Sequence, residues 1–177
     1  MSDRIQKRTK YLTVSAMLCA LGVILMALGG LIEVLDLSTA VLASLCCVYA
    51  MIEMGGVYPW GIWLVTSLLS LILLPQKTPA VFYTLFLGYY PILKAYFERL
   101  PRGIGYLIKL VTFHAALGLI YLVLRLFLPS ELEALSGGWL LPLLYALSLV
   151  CFILYDVAVT RLITFYLFKL KKRFGLK

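Results

Sequence analysis

From Tyr11 to Ile32 no charged side chain interrupts the chain, and Glu33 and Asp36 then close the run. A stretch so long and so apolar has no place in the small core of a water-soluble domain. About 20 such residues are what an α-helix needs to cross the ~30 Å hydrocarbon layer of a bilayer. In that layer every backbone polar group must be satisfied within the segment itself, which leaves the helix as the economical solution. The pattern recurs along the chain. Of its 177 residues 63% are hydrophobic and only 14% charged, with a mean hydropathy of +1.01. Soluble domains are nearer half apolar and a quarter charged. The sequence therefore predicts an all-α, polytopic integral membrane protein, one transmembrane domain over residues 1–177. Its six spans lie at about 11–32, 39–54, 58–74, 80–97, 106–128 and 139–168, punctuated by Gly55-Gly56, Pro59, "LLPQKTP", "ERLPRG" and Pro129. The basic-then-apolar start has the outline of a signal peptide. Its apolar part is too long for a signal core, and no small-x-small cleavage site ends it, so it reads as a helix that stays.

The net charge of +8 is distributed in a way that argues for lipid and against nucleic acid. Arg4, Lys7, Arg8 and Lys10 precede the first apolar run; Lys169, Lys171, Lys172, Arg173 and Lys177 follow the last. Basic flanks of that kind stay on the cytoplasmic side and touch anionic headgroups. With both termini cytoplasmic, the inner loop after the fourth span holds Arg99 and Arg102, with Lys109 nearby. The outer loops hold Glu33, Asp36, Glu131 and Glu133, with Lys77 and Arg125 as outer cations. The expected location is the cytoplasmic membrane.

No catalytic signature is present: no H-E-x-x-H, no G-x-S-x-G, no P-loop and no paired aspartates spaced to hold a metal. The four cysteines (Cys19, Cys46, Cys47, Cys151) all lie in apolar runs, and His114 is the one histidine. That inventory predicts neither a metal nor a cofactor.

Small residues mark the first span. With 100° per residue, Ala16, Ala20, Val23, Ala27 and Gly30 form one seam at spacings of 4, 3, 4 and 3. Ser15, Gly22 and Gly29 form a second stripe at intervals of seven. Helices in lipid associate through close backbone approach, which small residues permit, so two stripes predict two neighbours. One is an internal helix, for which the second span offers Ala40, Ala43, Cys47 and Ala50; the other faces either a further internal helix or a separate protein.

A chain of this length with six spans, inner termini and Ala16-Met17-Leu18-Cys19-Ala20 in its first helix resembles the substrate-binding S components of energy-coupling factor transporters. The opening "LTVSAMLCALGVIL" is also similar to the start of that family. The resemblance implies a small-molecule, vitamin-like ligand and docking through Ala16, Ala20 and Ala27 on a transmembrane coupling subunit with associated ATPases. It further implies a ligand held in the outer half by the last three helices and the loop after the first. Asp36, Tyr83, Tyr121, Arg125, Trp139 and Tyr145 fall there by the predicted topology. An interfacial aromatic belt would use the same residue types. "GYYP" (88–91) lies deeper, where Gly88 and Pro91 can break a helix and line a cavity.

Charges inside spans are expensive and are functional candidates by default. Counted at about 1.5 Å per residue from the predicted outer ends, Glu53, Lys94 and Asp156 reach nearly one depth, roughly 21–25 Å. They are expected to form a buried cluster, with Lys94 pairing instead with Glu98 as the alternative. A small membrane enzyme with Glu53, Lys94 and Asp156 as its polar centre, or a non-catalytic membrane scaffold, are the other readings the sequence allows.

Overall fold

The computed structural model describes residues 2–30, 35–127 and 139–166, and every regular element among them is helical. In order these are α1 (Ser2–Gly29), α2 (Asp36–Glu53), α3 (Tyr58–Leu73), α4 (Thr78–Phe82), a π-helical turn (Tyr83–Leu87), α5 (Tyr90–Phe97), α6 (Arg102–Phe127) and α7 (Leu140–Phe165). Among the described residues four helical stretches are long and apolar enough to cross a membrane: Ile5–Gly29, Asp36–Glu53, Gly103–Phe127 and Pro142–Phe165. Tyr58–Leu73 is apolar but shorter. The fourth predicted span is not one helix, because α4, the π-turn and α5 divide it. Glu33, Glu131, Glu133 and the basic run from Lys169 to Lys177 lie outside the described residues.

The breaks follow local rules. Asp36 places its carboxylate in the first turn of α2, where the helix dipole favours a negative charge. At the other end Met54 N–H and Gly55 N–H both donate to Ala50 O, and Gly55 and Gly56 turn left-handed at φ +60°. That closing hairpin of hydrogen bonds needs a residue without a Cβ. Pro59 then sits in the first turn of α3, where its missing N–H costs nothing. Leu74, extended at ψ 133°, ends α3 before Pro75. Lys77 Nζ covers the freed carbonyls of that end, donating to Leu71 O at 2.8 Å and to Leu74 O.

The chain divides into two compact units, residues 1–116 and 117–177. In the first, α1 and α2 run antiparallel. Ser15 meets Met54 at one end of the pair and Gly29 meets Thr39 at the other. Helix α3 runs beside α1: Tyr58 packs edge-on against Tyr11 at 5.4 Å, Cys19 Sγ reaches Ile62 O at 3.8 Å, and Thr66 lies against Gly22. Helix α2 is the centre of the unit, touching α1, α3, α4, the π-turn and α5. Its seam Ala40, Ala43, Cys47 and Ala50 is fully buried, so these small side chains set the close spacing around it. Among the described residues of the second unit the buried apolar ones are Ile120 and Leu124 of α6 and Phe152, Tyr155 and Val159 of α7. Leu122, Leu126, Leu143, Leu147 and Leu154 are exposed, as lipid-facing positions are.

Candidate functional site

The two small-residue stripes of α1 have different fates. The inward face is Ser15, Cys19, Gly22, Met26 and Gly29, itself a 4, 3, 4, 3 seam. A Cβ built on Gly22 would lie 3.1 Å from Thr66 Cγ2 and 3.9 Å from Ala43 Cβ, while one on Gly29 would overlap the Thr39 side chain. One residue on, about 100° around the helix, Ala16, Ala20 and Ala27 are exposed. Val23 and Gly30 are half-buried at the edge of that face. A row of small, exposed side chains on a long apolar helix leaves a shallow groove into which another helix can settle.

The broken fourth segment is built around a register change. Gly88 N–H bonds Tyr83 O, five residues back, at 2.8 Å, which is the signature of the π-turn. Trp63 Nε1 donates to Thr84 O at 3.2 Å, supplying a partner from α3 at the break. Pro91, lacking an N–H, opens α5 in its first turn. The sequence allows a cavity here; the space beside Gly88 is filled by side chains. Gly88 is buried, and a Cβ on it would come within 2.5 Å of Trp63 Cδ1 and 2.9 Å of Tyr83. The glycine is needed because an indole and a phenol occupy that space. Tyr89 packs edge-on against Trp63 at 5.9 Å, and Tyr90 lies against Phe86 at 5.0 Å, so aromatic rings brace the break on both sides. Sequence reading located the break through Gly88 and Pro91, but Trp63 as its partner carries no local signal.

Of the residues expected around a ligand, Tyr83 is fully buried with its hydroxyl 3.3 Å from Cys47 Sγ. Asp36 is half-buried in the first turn of the same helix as Cys47. Eleven residues, about 16 Å of helix, separate Asp36 from that contact, so Asp36 and Tyr83 do not converge. Tyr121, Arg125, Trp139 and Tyr145 belong to the second unit and are all exposed, Trp139 at 93%.

Lys94 is fully buried, and its Nζ is 3.5 Å from Oε1 of Glu98, the residue that caps the end of α5; Lys109 Nζ reaches the same oxygen at 3.9 Å. Glu53 is half-buried at the last turn of α2, a helix that packs on α5. Asp156 is half-buried in the second unit. Lys109 thus joins the Lys94–Glu98 pair, and its place near the loop after α5 is the only sequence signal for it. Around this end Arg99 stacks over Tyr96 and Lys109 over Tyr106, at 5.6 and 5.7 Å from the ring centroids. His114 Nδ1 lies 2.8 Å from Leu110 O one turn back, a contact within its own helix. Among the described residues no His, Cys, Asp or Glu group is arranged to hold a metal ion.

No family model matches the chain, and neither the curated proteins nor the solved structures give a match.

Proposed function

We propose that this chain is a membrane-embedded substrate-binding subunit of an uptake transporter, of the kind that S components represent. It docks through Ala16, Ala20 and Ala27 of α1 on a transmembrane coupling subunit that brings its own ATPases. The observation that supports it is the division of labour on α1. The stripe through Ser15, Gly22 and Gly29 is consumed by Met54, Ala43, Thr66 and Thr39, whereas the adjoining alanine stripe is left exposed. Exposed alanines contribute little to the fold of this chain, and a Leu or Ile would suit plain contact with lipid equally well. In this reading there are six crossings. Helix α3 spans with about 24 Å of helix and the α4–π–α5 segment serves as the fourth crossing. Both basic ends are cytoplasmic, and a small vitamin-like ligand binds in the outer half. The chain carries no nucleotide-binding motif, so the energy for release would come from its partners.

The test is co-purification. Wild-type protein expressed with its host's membrane complement should bring down a coupling subunit and two ATPases. Ala16→Leu and Ala20→Leu should lose them while keeping their expression, their thermal stability and any small molecule that mass spectrometry finds retained. Equal assembly of both variants would remove this face as the docking face. Turnover of a substrate by the isolated chain would replace the reading with an enzymatic one.

A further inference from the structure

Helix α1 carries a third seam, and neither the fold nor the docking face uses it. Lys7, Lys10, Val14, Met17, Leu21, Ile24 and Leu28 follow one another at spacings of 3, 4, 3, 4, 3 and 4, which keeps them on one side of the helix. That side lies roughly opposite the buried seam through Cys19 and Met26. Its members change character along the axis. At the N-terminal end Gln6, Lys7, Thr9, Lys10, Thr13 and Val14 line a shallow, open groove on the helix surface. Beyond it Met17, Leu21, Ile24 and Leu28 are 68, 48, 55 and 55% exposed.

We propose that this side of α1 is a binding site for an anionic phospholipid, its phosphate held between Lys7 and Lys10 and an acyl chain laid along Val14, Met17, Leu21 and Ile24. Three observations carry it. First, the helix is longer than a bilayer requires: its 28 residues extend about 42 Å against ~30 Å of hydrocarbon. Its first turns therefore stand at headgroup level when the apolar part is immersed. Second, the groove's donors are suited to a phosphate. The Thr9 and Thr13 hydroxyls donate back to Ile5 O and Thr9 O at 3.0 Å each, which leaves the two ammonium groups and the Gln6 amide to face the groove. Charge is complementary as well, since Arg4, Lys7, Arg8 and Lys10 stand against Asp3 as the one acid in residues 1–30. Third, the polar and apolar parts are in register. From Val14 to Ile24 is about 15 Å, the depth of one leaflet, so a headgroup at Lys10 puts its chains against the exposed apolar stripe. The proposal rests on the membrane placement of α1 and not on the docking of Ala16 and Ala20, which occupy a neighbouring but different face.

The experiment is a lipid titration of the purified, detergent-exchanged chain followed by native mass spectrometry, with phosphatidylglycerol and phosphatidylcholine of matched chains. Wild type should retain the anionic lipid at least about tenfold better, and rising ionic strength should erode the preference. The double variant Lys7→Gln/Lys10→Gln, altered only at exposed positions, should bring the two lipids to within about twofold. Arg161→Gln, which removes an exposed cation from α7, should leave the preference in place. A wild type without preference overturns the proposal, as does an Arg161→Gln loss equal to that of the lysine pair, since either means bulk charge alone. Displacement of the lipid by millimolar inorganic phosphate would overturn it too, because the apolar stripe would then contribute nothing. So would a change of oligomeric state in the lysine variant with lipid retention unaltered, which would make this face a protein contact.

Discussion

Lys94 Nζ stands 3.5 Å from Glu98 Oε1, the ammonium fully buried and the carboxylate 43% exposed. The two ends of this pair are therefore unequal. Glu98 has partial access to water, while Lys94 depends on protein groups for its charge. Glu98→Gln should lower thermal stability in detergent by more than the ~1 kcal/mol of a surface pair and by less than the ~3–5 kcal/mol of a fully buried one. Lys94→Met, which removes the buried charge together with its need for a partner, should cost less than Lys94→Glu. The swap Lys94→Glu/Glu98→Lys should recover part of the single reversal's loss. Additive losses in the swap would show that the pair contributes no coupling.

Gly88 and Gly61 make a matched comparison within one unit. A methyl at Gly88 meets Trp63 and Tyr83, whereas nothing lies within 4 Å of one at Gly61. Gly88→Ala should destabilise by about 1–3 kcal/mol through overpacking. Gly61→Ala should be neutral or stabilising by up to ~1 kcal/mol, because alanine is the better helix former. Thermal unfolding in detergent reads both, and a tolerated Gly88→Ala would mean that the break is looser than its aromatic contacts imply.

The two faces of α1 should respond in opposite ways to added bulk. Gly29→Ala pushes a Cβ into Thr39 and should cost roughly 1–3 kcal/mol of stability. Ala27→Leu, two residues away on the exposed stripe, should leave the isolated chain within ~0.5 kcal/mol of wild type. The pairing of α1 with α2 would be in question if Ala27→Leu were the more damaging change.

Tyr83 and Cys47 share a contact at 3.3 Å that ties the π-turn to the centre of α2. Tyr83→Phe keeps the ring and removes the hydroxyl, for an expected loss of about 0.5–1.5 kcal/mol. The coupling between Tyr83→Phe and Cys47→Ala in a double-mutant cycle should be non-zero and of that order. Two independent, additive losses would mean that the contact is geometric only.

Topology can be checked at single introduced cysteines in an otherwise cysteine-free chain. An impermeant reagent applied to intact cells should label Ser130→Cys and spare Ser2→Cys. Labelling at position 2 would invert the proposed orientation.

What the sequence determined by itself is what depends on neighbours along the chain. Charge-free runs such as Tyr11–Ile32 require helices in an apolar solvent. Gly55-Gly56 and Pro75 fall where helices stop, and Pro59 where one starts. Gly88 and Pro91 marked a weak point in the fourth segment. The choice between the two small stripes of α1 was not legible, because both recur at helical spacing and differ by one position. Only the arrival of Thr39, Ala43, Met54 and Thr66 from other segments decides that Ser15, Gly22 and Gly29 turn inward and Ala16, Ala20 and Ala27 turn out. The π-turn was likewise decided in three dimensions, by an indole on α3 that meets Thr84 O and fills the space beside Gly88. The same holds for Tyr83. Its position in the outer half of a predicted span made it a ligand candidate, and only the approach of Cys47 reveals a hydroxyl already engaged with the core. Periodicity states which residues share a face; it cannot state what that face meets, because the partner lies far away in sequence and packing energy exists only once both surfaces are present.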